Sequence, residues 1–144
     1  MSVIQSLLHP GRPLRILAVI GAIGLFCLLF VLGAISAHRG WLPANTDKIA
    51  HFFYYAGIAS LIWIADGSGG VRARWLAIGL TAMLGVADEL VQHWTPERQA
   101  SMFDWVADVL GATLATLTLE RLRAFTDTSA GSSLERSEVR RGRR

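Results

Sequence analysis

Six residues pair at intervals of four along two apolar segments: Asp88 with Gln92, Glu89 with His93, and Asp104 with Asp108. Asp47 and His51 repeat the interval in another segment, with the only lysine of the chain, Lys48, between them. Residues four apart share one face of a helix, so each segment carries a polar stripe. Arg98, in the connection between the segments that hold Glu89 and Asp104, lies close enough to join them. A carboxylate beside a cation in a low-dielectric cavity has the chemistry of an acid or base, or of a clamp for a polar head group. Glu89, Asp104 and His51 are the candidate catalytic groups. Asp47, Lys48, His51, Glu89, Gln92, Arg98, Asp104 and Asp108 are the candidate ligand-binding set. Glu89, His93, Asp104, Asp108 and His51 are ligand types for a divalent ion, but no complete metal motif is present and the nearby cations would compete, so no metal is expected. No serine nucleophile motif, phosphate loop or dinucleotide fingerprint occurs, so no cofactor is expected either.

The segments that must position these groups are themselves unusual. Of 144 residues, 52% are hydrophobic and 17% charged, against about a quarter charged in ordinary soluble domains. Between Leu14 and Ala37 the only charge is Arg15. This stretch, from about Arg15 to Ala37, exceeds the roughly 20 residues needed to cross a bilayer. It is also longer than the apolar core of a cleaved signal peptide, the rival reading. Further spans are expected from about Asp47 to Ala65, Trp75 to Trp94 and Met102 to Leu119, with a turn at Asp66-Gly67-Ser68-Gly69-Gly70. The expected fold is therefore all-α, an integral membrane bundle of four transmembrane helices. An ionisable group within such spans costs a few kcal/mol unless it finds a partner or water, and this makes the polar stripes a candidate site.

Orientation follows from arginine and lysine in the short connections. Arg12, Arg15, Arg72, Arg74 and the arginine-rich C-terminal end fall on one side, and Arg39, Lys48 and Arg98 on the other. The bias places both termini in the cytoplasm and the polar stripes outside, with Trp41 and Trp94 at the outer interface and Trp75 at the inner one. Residues 1–123 form the membrane domain, and 124–144, rich in Ser, Arg and Glu, read as a disordered basic cytoplasmic tail. The formal net charge of +3 collects at that end, so nucleic acid is not an expected partner. Cys27 lies alone in an apolar run, without an internal disulfide partner. Nothing in the sequence fixes an oligomeric state.

Four motifs in order give a more specific reading: Asp47-Lys48-Ile49-Ala50-His51, Asp88-Glu89-Leu90-Val91-Gln92, Pro96-Glu97-Arg98, and Asp104-Trp105-Val106-Ala107-Asp108-Val109-Leu110-Gly111. In these residues, across about 47–119, the chain resembles the VanZ-like membrane proteins. It departs from them at Glu97, where glycine is frequent, and at Asp108, where asparagine is common. The resemblance implies a small multi-pass protein of the bacterial cell (inner) membrane and a link to resistance against teicoplanin, a lipid-bearing glycopeptide. Three functions follow as expectations. The first is a non-enzymatic envelope protein that binds an amphiphile or lipid-linked wall precursor, with Lys48 and Arg98 meeting its acidic groups. The second is a membrane enzyme on a lipid-linked substrate, with Glu89 or Asp104 as acid or base and His51 assisting. The third is an ion-locked structural bundle that partners another membrane protein.

Overall fold

The computed structural model describes residues 3–37, 46–94 and 101–141, with side chains described less completely near the ends of those segments. Five helices follow in order: α1 (Val3–Leu8), α2 (Arg12–Ala37), α3 (Thr46–Asp66), α4 (Val71–Trp94) and α5 (Met102–Arg141). No strand occurs among the described residues. Four helices are long and apolar enough to cross a membrane, with windows at Arg12–Leu29, Lys48–Asp66, Val71–Trp94 and Met102–Ser129. The three expected spans after the first begin and end within a few residues of the sequence reading, apart from the far end of α5.

α3 is the central helix. It packs against α2, α4 and α5, while α4 also packs on α5, and α1 rests on α5. Small residues allow this density. Ala59 on α3, Ala73 and Ala77 on α4 and Ala112 on α5 are all fully buried, around the equally buried Trp63. Helices in an apolar medium associate through such close contact, because lipid offers no hydrophobic drive between them. Gly111 is the tightest backbone contact among the glycines. A Cβ there would lie 2.3 Å from the Phe52 carbonyl oxygen and 3.3 Å from the Ala56 nitrogen, so the α3 and α5 backbones touch. At Gly79, by contrast, an added Cβ would meet nothing within 4 Å.

The turn expected at residues 66–70 is present, and Gly67, Gly69 and Gly70 all have positive φ, at 69°, 63° and 80°. Asp66 fixes its start by accepting hydrogen bonds from the Ser68 amide and hydroxyl. Beside this turn, Arg15 Nε donates to the Ala65 carbonyl at 2.7 Å, and Arg74 on α4 pairs with Glu120 on α5. All four long helices are thus tied at this end of the bundle.

α5 does not stop near Leu119. The segment read from composition as a disordered tail is here its continuation to Arg141. No proline interrupts it, and the Thr126, Thr128 and Ser129 hydroxyls donate back to carbonyls three or four residues earlier, so polar side chains close onto their own helix. The α1 helix, absent from the sequence reading, covers this extension, and His9 Nε2 lies 2.8 Å from Asp127 Oδ1.

Gly111→Ala should therefore lower the melting temperature in detergent, because α3 or α5 must move; overpacking of this kind costs about 1–3 kcal/mol. Gly79→Ala should leave the melting temperature unchanged or raise it slightly, since alanine is the better helix former. Equal effects of the two substitutions would contradict the packing described.

Candidate functional site

The polar site is built where α3 and α5 begin and α4 ends. Lys48 and His51 are one turn apart on α3, and Asp104 and Asp108 one turn apart on α5. The two helices meet in matched pairs. Lys48 Nζ donates to Asp104 Oδ1 at 3.0 Å, and His51 Nδ1 lies 3.0 Å from Asp108 Oδ1. An ionised carboxylate only accepts hydrogen bonds, so wherever Asp108 is ionised the Nδ1 proton points to it. The other ring nitrogen, Nε2, faces Asp88 Oδ2 at 4.0 Å. Asp88 in turn accepts a 2.9 Å hydrogen bond from the Gln92 amide. His51 is thus held between carboxylates from two helices, and Asp88, His51, Gln92, Asp104 and Asp108 are all buried.

The backbone explains the closeness. Asp108 reaches α4 because residue 85 is glycine: a Cβ there would sit 2.7 Å from Asp108 Oδ2. The buried stripe of α4, Ala73, Ala77, Thr81, Gly85, Asp88 and Gln92, is small until it becomes polar at the end. Tyr55, one turn below His51, stacks on its ring with centroids 5.9 Å apart. The Tyr55 and Thr81 hydroxyls and Asp108 Oδ2 are buried without a protein hydrogen-bond partner. Polar atoms therefore continue inward from the end of the bundle.

Glu89 takes a different direction from Asp88. One Glu89 oxygen, Oε2, accepts from the Ser101 amide at 2.6 Å, anchoring the start of α5 to α4, and Oε1 has no protein partner. Glu89, His93, Ser101 and Trp105 line an open groove of about 610 Å³, otherwise walled by Val86, Leu90 and Met102. Trp105 is fixed in that wall by its indole N–H, which donates to the Ala82 carbonyl at 3.1 Å. Asp104 links groove and core: it pairs with Lys48, and its own amide donates to the Ser101 carbonyl.

Of the residues expected from sequence, the structure brings together Lys48, His51, Gln92, Asp104 and Asp108, and sets Glu89 on the groove beside them. The Asp47 side chain and Arg98 lie outside the described residues, as do Trp41 and Glu97. Sequence reasoning placed Asp88 on a polar stripe with Gln92 but not in the candidate binding set, and the structure sets it opposite the second ring nitrogen of His51. Tyr55, four after His51, lies at an interval that could join it to the polar group. Trp105 and Ser101 were left out; nothing in their spacing separates them from packing residues.

Comparison with known proteins adds one relative. The chain is similar to an uncharacterized protein of Schizosaccharomyces pombe, with 35% identity over 96 residues, covering 62% of this chain and 59% of that protein. The chain thus spans less than two thirds of the length of the curated relative it matches. No family model matches, and neither does any solved structure.

Breaking the central pair should be costly. Asp108→Ala or His51→Leu should each destabilise the bundle by about 3 kcal/mol, because each strands a buried polar partner. The double variant His51→Leu/Asp108→Leu should lose less than the sum of the two single losses. Additive losses in thermal denaturation would show that the two groups do not act as a pair.

Proposed function

We propose that this chain is a VanZ-like multi-pass membrane protein, with both termini in the cytoplasm, that holds the polar head of an amphiphile such as a lipid-linked cell-envelope precursor. One observation carries this reading. The polar cluster at the end of α3, α4 and α5 adjoins a groove with largely apolar walls, so an acidic head and an apolar chain would each find a matching surface. Lys48, with a side chain 34% exposed while its Asp104 partner is buried, is the cation that would meet an acidic head. Asp104 orients it, and His51, Asp108, Asp88 and Gln92 keep that carboxylate end rigid. Glu89 and Ser101 supply polar contacts along the groove, and Arg98 would add a second cation. In a bacterial plasma membrane the same site would bear on teicoplanin, whose lipid chain places it at the outer leaflet.

A second reading rests on a separate observation: the hydrogen bond to Asp108 orients His51 so that Nε2 faces Asp88. This arrangement suits proton transfer, and the chain would then be a membrane enzyme acting on a lipid-linked substrate, with Glu89 contacting that substrate from the groove.

The test is retention of polyprenyl phosphate by the purified protein in detergent, read by native mass spectrometry. Wild type should retain it, and Lys48→Ala should reduce retention by about tenfold or more, the loss expected of one charge-assisted contact. Unchanged retention in a folded, monodisperse variant would overturn the binding site as assigned. In a sensitive, permeable host, expression should protect against teicoplanin and not vancomycin, and Glu89→Gln should remove that protection.

A further inference from the structure

At the opposite end of the bundle, a second surface combines an apolar slot with cationic groups. α2 and α4 both pack on α3, and between them runs a slot of about 620 Å³ whose walls include Ile23, Phe26, Leu80 and Met83. It is almost wholly apolar. At the start of α2, Arg12 and Arg15 line a smaller cleft of about 400 Å³. Val19 and Ala65 line both, so the slot opens directly into the arginine cleft.

Arg15 is held in place rather than merely nearby. Arg15 Nε donates to the Ala65 carbonyl at 2.7 Å, which holds its guanidinium at the mouth of the slot, over the turn glycine Gly67. The one carboxylate that lines the slot, Asp66, is engaged by the Ser68 amide and hydroxyl and faces Arg72 at 3.8 Å. Against this one carboxylate stand Arg12, Arg15 and Arg72, so positive charge is in excess around the cleft. Planar guanidinium groups are suited to phosphate oxygens.

A narrow apolar slot that ends against arginines matches a flexible acyl chain with an acidic head group at its end. We propose that this surface binds one anionic phospholipid, with an acyl chain between α2 and α4 and the head-group phosphate against Arg12 and Arg15. The site is separate from the cluster around His51 and does not depend on the function assigned there.

The full-length protein, purified in detergent, would be incubated with phosphatidylglycerol or with phosphatidylcholine of the same chains and read by native mass spectrometry. Wild type should retain phosphatidylglycerol preferentially. The R12Q/R15Q variant should lose about thirtyfold in phosphatidylglycerol binding, as expected for two arginines near a membrane surface, and should then treat both lipids alike. Ala22→Phe, which fills the slot and leaves the arginines in place, should reduce retention of both. Equal retention of the two lipids by wild type, or a preference undiminished in R12Q/R15Q, would overturn the proposal. Competition by glycerol 1-phosphate as effective as that by phosphatidylglycerol would overturn it too, by showing a phosphate site that makes no use of the slot.

Discussion

Charge cannot be left unpaired in an apolar medium, and the α3–α5 interface is where this chain meets that constraint. Lys48–Asp104 and His51–Asp108 are successive pairs one turn apart on both helices, so they fix the rotation and the axial position of one helix against the other. A turn further along, the backbones touch at Gly111. The pairs need a short separation to be favourable, and glycine at 111 permits it. Everything else at this end is set by that contact: α4 must present small residues, Gly85 in particular, for Asp108 to fit, and Asp88 then falls opposite His51.

The other end of the bundle follows the same rule with different partners. Arg15 reaches a carbonyl of α3, Arg74 pairs with Glu120, and Asp66 binds within its own turn. Here the polar groups tie helix ends together; around His51 they come from three helices and converge on one another. The α5 helix continues beyond this end and is met there by α1, with the His9–Asp127 contact joining the two.

The polar cluster is divided by function of position. His51, Asp88, Asp104 and Asp108 are buried and largely satisfied by one another, which suits them to hold a geometry. Glu89, His93 and Ser101 stand on a groove, and Lys48 is partly exposed. The first group locks α3, α4 and α5 together, and the Glu89–Ser101 contact adds an anchor for α5; the proposed binding at the groove would use the second group, with the buried pairs as its support.

Much of this was legible in the sequence. Long stretches without charge announce helices that can cross a membrane, the Gly/Ser cluster announces the turn, and intervals of four announce polar faces gathered at one end. These are local properties, set by backbone hydrogen bonding and by the 3.6-residue period. The end of α5 was not legible, because a polar composition without proline is compatible with helix as well as with disorder. Nor was the division between Asp88 and Glu89. Consecutive residues on a helix point about 100° apart, and periodicity gives their relative directions but not which one faces the core. The contact with α3 and α5 decided that: Gly85 turns toward Asp108, and Asp88 faces inward while Glu89 lies on the groove. The sequence by itself determined which side chains carry charge and at which end of the helices they lie. Only the tertiary structure decided their partners, because the Lys48–Asp104 and His51–Asp108 pairs join residues 56 and 57 positions apart, and helix packing alone brings them together.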